Sequence, residues 1–86
     1  MITVRCEVSK LCPYVDERDC GYLKVTWPID APELHEFYER LEDLGARKMS
    51  HEDYTREVAQ LAGIGARVET EWRTGNWDVF VSEYHA

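Results

Sequence analysis

The chain has 86 residues, 44% hydrophobic and 12% aromatic, and carries a formal charge of −7. That describes one domain with a core of its own and excludes a disordered chain. The acidic balance argues against a free-standing nucleic-acid binder, unless subunits assemble a basic patch between them. No apolar run approaches the roughly 20 residues of a membrane span, and Met1 to Arg5 carry no secretory signal, so a cytoplasmic protein is expected.

Residues 2–8 alternate, with Ile2, Val4, Cys6 and Val8 on one face and Thr3, Arg5 and Glu7 on the other, as a half-buried strand does. Residues 21–27 alternate again, with Leu23, Val25 and Trp27 opposing Tyr22, Lys24 and Thr26, and Pro28 ends the strand. Asp30 and Glu33 have capping-box spacing, and Leu34, Phe37, Tyr38, Leu41 and Leu44 recur at helical spacing until Gly45. A second helix is expected from Ser50, capped toward Asp53, burying Tyr54, Val58 and Leu61 before Gly63 and Gly65. The tail reads as a hairpin: Ala66, Val68, Thr70 and Trp72 alternate, Thr74-Gly75-Asn76 turns, and Trp77, Val79 and Val81 return.

This order predicts an α+β fold over residues 1–86, an antiparallel ββααββ sheet with two helices on one face. So small a sheet has two edges of unpaired backbone groups, and three tryptophans are many for the length, so pairing with further copies through the edges is expected.

Three cysteines, Cys6, Cys12 and Cys20, form no C-x-x-C pair, and the histidines are scattered, so neither a disulfide framework nor a metal site is expected. Cys6 lies on the apolar face of the first strand and reads as a small buried hydrophobe. Cys12 differs: it precedes Pro13, lies outside both alternating patterns, and is followed by Asp19 on the same connection. Thiol and carboxyl together read as a nucleophile beside a proton donor. After the first helix comes His51-Glu52-Asp53, at what reads as a helix start; Ser50, Glu52 and Asp53 also suit capping and the helix dipole.

With these motifs in place, the chain resembles the tunnelling-fold (T-fold) proteins, and among them the QueF-like family of nitrile reductases and archaeosine-forming amidinotransferases. Leu11-Cys12-Pro13 with Asp19 resembles the family's catalytic block, and His51-Glu52-Asp53 stands where the family has its His-Glu-Asp. The resemblance implies 7-cyano-7-deazaguanine (preQ0) as substrate, free or as a modified nucleotide in tRNA or DNA. It implies Cys12 as the nucleophile forming a thioimide, Asp19 as general acid and His51 as proton relay. Glu52 would bind the ring edge, with Glu33, which aligns with the first residue of the family's Glu-Ser-Lys-Ser-like motif, as a second substrate-binding residue. It further implies a homo-oligomer, a pentamer or a pair of pentamers, with sites at subunit boundaries.

The departures from the family concern the cofactor. Where the reductases carry lysines for NADPH, this chain has Glu33-Leu34-His35-Glu36, followed by Tyr38 and Glu39, and acids there oppose a pyrophosphate. Arg73-Thr74-Gly75-Asn76 replaces a Gly-rich run, and Val15-Asp16-Glu17-Arg18 replaces a Thr-Gly-Gln-Pro-like one. An amidinotransferase needing no cofactor is therefore expected, with an NADPH-dependent reductase as the alternative. A non-catalytic purine-binding or protein-interaction domain is the third reading.

Overall fold

The computed structural model describes residues 1–85, with Thr74 described by its backbone alone. The element order is β1 (Ile2–Leu11), β2 (Arg18–Trp27), α1 (Leu34–Gly45), α2 (His51–Ala62), β3 (Arg67–Thr74) and β4 (Trp77–Tyr84), the expected ββααββ order. The strands form one antiparallel sheet in the order β1-β2-β3-β4, so β1 and β4 are its edges.

Strand parity builds the core. Gly21, Leu23, Val25 and Trp27 of β2 and Val68, Thr70 and Trp72 of β3 are buried, and they pack with Phe37, Leu41 and Leu44 of α1 and Tyr54, Val58, Ala59 and Ala62 of α2. Burial of this apolar surface is the main driving term for a chain of this size. Leu34 and Tyr38, both expected on the apolar stripe of α1, are exposed instead, at 44% and 54%. The tryptophans divide: Trp27 and Trp72 are core residues, while Trp77 at 71% exposure faces outward.

Two boundaries differ from the sequence reading. Both strands of the first hairpin are longer than their alternation suggests: β1 runs to Leu11 and β2 starts at Arg18, so Asp19 stands on a strand and not on the connection. Helix α1 starts at Leu34, capped by Glu33 and not by Asp30. Pro32 explains the shift, because the residue before a proline is pushed out of the helical region, and regular helix begins only beyond it. The Ser50 cap is as expected, its Oγ accepting from Asp53 N at 3.1 Å, and Gly75 turns the last hairpin at φ +71°.

Side chains from the sheet finish both helices. The last turn of α1 contains no basic residue, and Arg18 of β2 supplies one, donating to Gly45 O at 2.8 Å and Ser9 Oγ at 2.9 Å. Trp27 Nε1 donates to Ala62 O at 2.9 Å at the end of α2.

Candidate functional site

The site is assembled where the first hairpin meets the start of α2. Each β1 residue pairs with a β2 residue, down to Lys10↔Asp19 and Leu11↔Arg18, and Cys12 N extends the ladder by donating to Glu17 O at 2.9 Å. Cys12 thus keeps the parity of Lys10, which is buried, and Asp19 lies diagonal to it on the same face of the ladder. Diagonal neighbours across such a pair are about 7–8 Å apart, a separation that long and aromatic side chains span. Two further bonds bring in α2: Leu11 N donates to Arg47 O and Met49 N donates to Leu11 O, each at 3.2 Å. His51 follows two residues after Met49, so the helix opens beside the end of β1.

Lys10 and Trp72 organise this corner, and the sequence reading assigned neither to it. Lys10 is fully buried; its Nζ donates to Asp19 Oδ2 at 2.6 Å and sits 4.8 Å from the centre of the Trp72 ring. An ammonium out of water is tolerable only when so paired, and an aromatic face adds attraction. His51 stacks on Trp72, centroids 4.9 Å apart and planes at 12°, while Tyr54 meets the same indole edge-on at 5.2 Å.

A chain of hydrogen bonds ties this stack to the helix. Trp72 Nε1 donates to Thr70 Oγ1 at 2.9 Å, the two hydroxyls of Thr70 and Thr55 meet at 2.7 Å, and Thr55 Oγ1 donates to His51 O at 2.7 Å. A hydroxyl has one proton to give. Since Thr55 gives its own to the His51 carbonyl, Thr70 must be the donor in the middle, and all three bonds run one way, from sheet to helix.

Burial is the main cause holding the His51 imidazole below its ordinary range, followed by the Lys10 cation; Asp19 and Glu52 act in the opposite direction. The ring is therefore neutral at neutral pH. Its Nδ1 is buried and has no hydrogen-bond partner among the described residues. Burial pushes the Cys6 thiol up, as expected for a packing cysteine. Cys20 is exposed, and its parity on β2 puts it on the face away from the helices.

The five residues singled out from the sequence do not all converge. Asp19 and His51 meet at the corner through Lys10 and Trp72, Cys12 follows at the end of the ladder, and exposed Glu52 adjoins on the first turn of α2. Glu33 lies at the other end of α1, about 18 Å along a 12-residue helix from Gly45, which abuts β1 at Ser9. There its carboxylate caps the helix, accepting from Glu36 N at 2.6 Å and His35 N at 3.1 Å. Those bonds hold its pKa below the usual carboxylate range.

The sheet-and-helix arrangement defines the chain as a T-fold-type α+β domain. A solved structure described as the archaeosine synthase QueF-Like in the apo form superimposes with a TM-score of 0.82 at 15% identity, covering 95% of this chain and 89% of that one. That likeness establishes the shared fold. No protein-family model matches the sequence, and no curated protein does.

Proposed function

We propose that the protein is a QueF-like enzyme that acts on the nitrile of 7-cyano-7-deazaguanine, free or within a nucleic acid, through a thioimide on Cys12. The observation that supports this reading is the Lys10–Asp19 pair and the Trp72–His51 stack at the end of the β1–β2 ladder, with Cys12 following one residue beyond β1. The fold shared with an archaeosine synthase supports it.

In this reading the Cys12 sulfur bonds to the nitrile carbon. The thiol proton passes to the Asp19 carboxylate and from there to the nitrile nitrogen, giving a neutral thioimide. Asp19 accepts the proton before it donates, because at rest it is the carboxylate partner of Lys10. The neutral imidazole of His51 can relay the same proton. Glu52 accepts from the ring N–H and exocyclic amine of the base. Glu33, remote from Cys12 within one chain, reaches a substrate only from a neighbouring copy, which accords with a homo-oligomer joined through the β1 and β4 edges.

Ammonia then adds to the thioimide carbon, the C–S bond breaks, and the thiolate recovers a proton, leaving a formamidine. No electrons enter or leave, so no redox cofactor is consumed. The start of α1 supports this branch over the reductase. Its Glu33 and Glu36 carboxylates oppose a dinucleotide's phosphates, and the nearby Arg40 is already paired to Glu36 Oε1 at 2.8 Å.

The test is intact mass after incubation with 7-cyano-7-deazaguanine, and with an oligonucleotide carrying it, beside a Cys12→Ala control. The reading requires an added mass equal to the nitrile compound, absent from the control, and its release by ammonium salts as the formamidine. No adduct with either substrate, or equal labelling of Cys12→Ala, overturns it and leaves the non-catalytic domain.

A further inference from the structure

Resting on that reading, we infer that Lys10 is a positioning residue for the thiol addition: its buried ammonium holds the Asp19 carboxylate and the Trp72–His51 stack in one arrangement beside Cys12. Lys10 is the charged side chain that is fully buried among the described residues. Removing an ammonium from water is costly, and a methionine of similar length would fill the space without that cost. What the ammonium adds is therefore its action on the groups it touches. These are the carboxylate at 2.6 Å and the indole face at 4.8 Å, and that indole is the one on which His51 stacks.

The consequence is directional. An ammonium donating to Oδ2 fixes one carboxylate oxygen and leaves the other to exchange a proton with the thiol two residues further on, just past the end of β1. The same cation opposes protonation of His51. The groups that act on that ring are Lys10 from β1, Asp19 from β2 and Glu52 from its own helix, while β3 presents the uncharged Trp72. Lys10 stands against the two acids, and with burial it keeps the imidazole able to accept a proton.

The experiment compares the NMR titration of His51 in the wild-type chain, Lys10→Met and Asp19→Asn, each checked for a cooperative melt. Lys10→Met moves the His51 titration to higher pH, and Asp19→Asn moves it to lower pH. A purely structural lysine produces no such opposed pair. At saturating nitrile, Lys10→Met also slows adduct formation on Cys12 by about tenfold or more with little change in half-saturation, and Lys10→Arg recovers part of the loss. A His51 titration that does not move in Lys10→Met, or that moves the same way in both variants, overturns the proposal, as does an unchanged rate. The titration needs no nitrile. A wild-type chain that forms no adduct overturns the nitrile reading alone, and the titration still decides whether Lys10 governs His51.

Discussion

The Trp72 indole lies directly against the Cα of Gly21: a Cβ built there would sit 2.7 Å from Trp72 Cε3 and closer still to Glu71 O. Neither neighbour yields cheaply, since one is backbone and the other is a fully buried ring packed against His51 and Tyr54. Gly21→Ala therefore forces the indole away from β2, with an overpacking cost of about 1–3 kcal/mol. The expected result is a lower urea midpoint together with a shifted His51 ring resonance, because the stack moves with the indole. An Ala variant with wild-type stability and an unmoved His51 signal would refute this account of the glycine.

Removing Asp19 tests the ion pair from its acidic side. Asp19→Ala leaves the Lys10 ammonium buried with no carboxylate, and losing one partner of a buried pair costs about 3–5 kcal/mol. For a domain of this size each kcal/mol corresponds to about 4–8 °C in Tm. The alanine variant is thus expected to melt far below wild type, and loss of activity in it would say little about proton transfer. Asp19→Asn keeps an oxygen for the ammonium and should melt closer to wild type while losing adduct formation. An alanine variant that melts with wild type would show that the pair contributes no stability.

This same pair explains what the sequence revealed and what it concealed. Elements with a regular apolar period were legible: α2 with its Ser50 cap, the final hairpin and, apart from its start, α1 are where the pattern puts them. The alternation of β1 seemed to stop at Val8 because the next residue of that parity is a lysine, and β2 seemed to start late because its matching residue is an aspartate. Each is a polar residue on an apolar face, and they cancel only once the register sets Lys10 opposite Asp19. Cys12, Asp19 and His51 could be picked out by residue type. Lys10 and Trp72 could not, since an isolated lysine reads as surface and a tryptophan in an alternating strand as core. Glu33 reads from the sequence as the fourth residue of a capping box begun by Asp30, and the structure makes it the cap itself.

The lowered pKa of His51 has a consequence for stability. The folded state resists protonating this ring, whereas the unfolded chain protonates it near 6.5. Below that pH the unfolded state holds more protons, so the stability present above 6.5 is lost as pH falls toward the folded-state pKa. Urea midpoints measured from pH 7.5 downward should decline through this window, and His51→Gln should flatten that part of the curve. A decline just as steep in His51→Gln would assign the effect to other groups.

The groove beside Pro13 allows a test between a free base and a polymeric substrate. Pro13 and Tyr14 of the first connection border a groove lined by Arg47, Lys48 and Arg56 and by the acids Asp53 and Glu57, a small cationic excess on a chain of net charge −7. Arg56 is engaged by Asp53 at 3.0 Å, while Arg47 and Lys48 are exposed, and Tyr14 is 87% exposed. If the base is presented within a nucleic acid, these two side chains are the ones able to meet its phosphates. Arg47→Ser with Lys48→Ser should then weaken oligonucleotide binding uniformly across sequences and reduce the salt slope by about one per cation. Adduct formation with the free base should be untouched, because a neutral purine gains nothing from a distant cation. A double variant that binds the oligonucleotide with an unchanged salt slope would remove this groove from the nucleic-acid path.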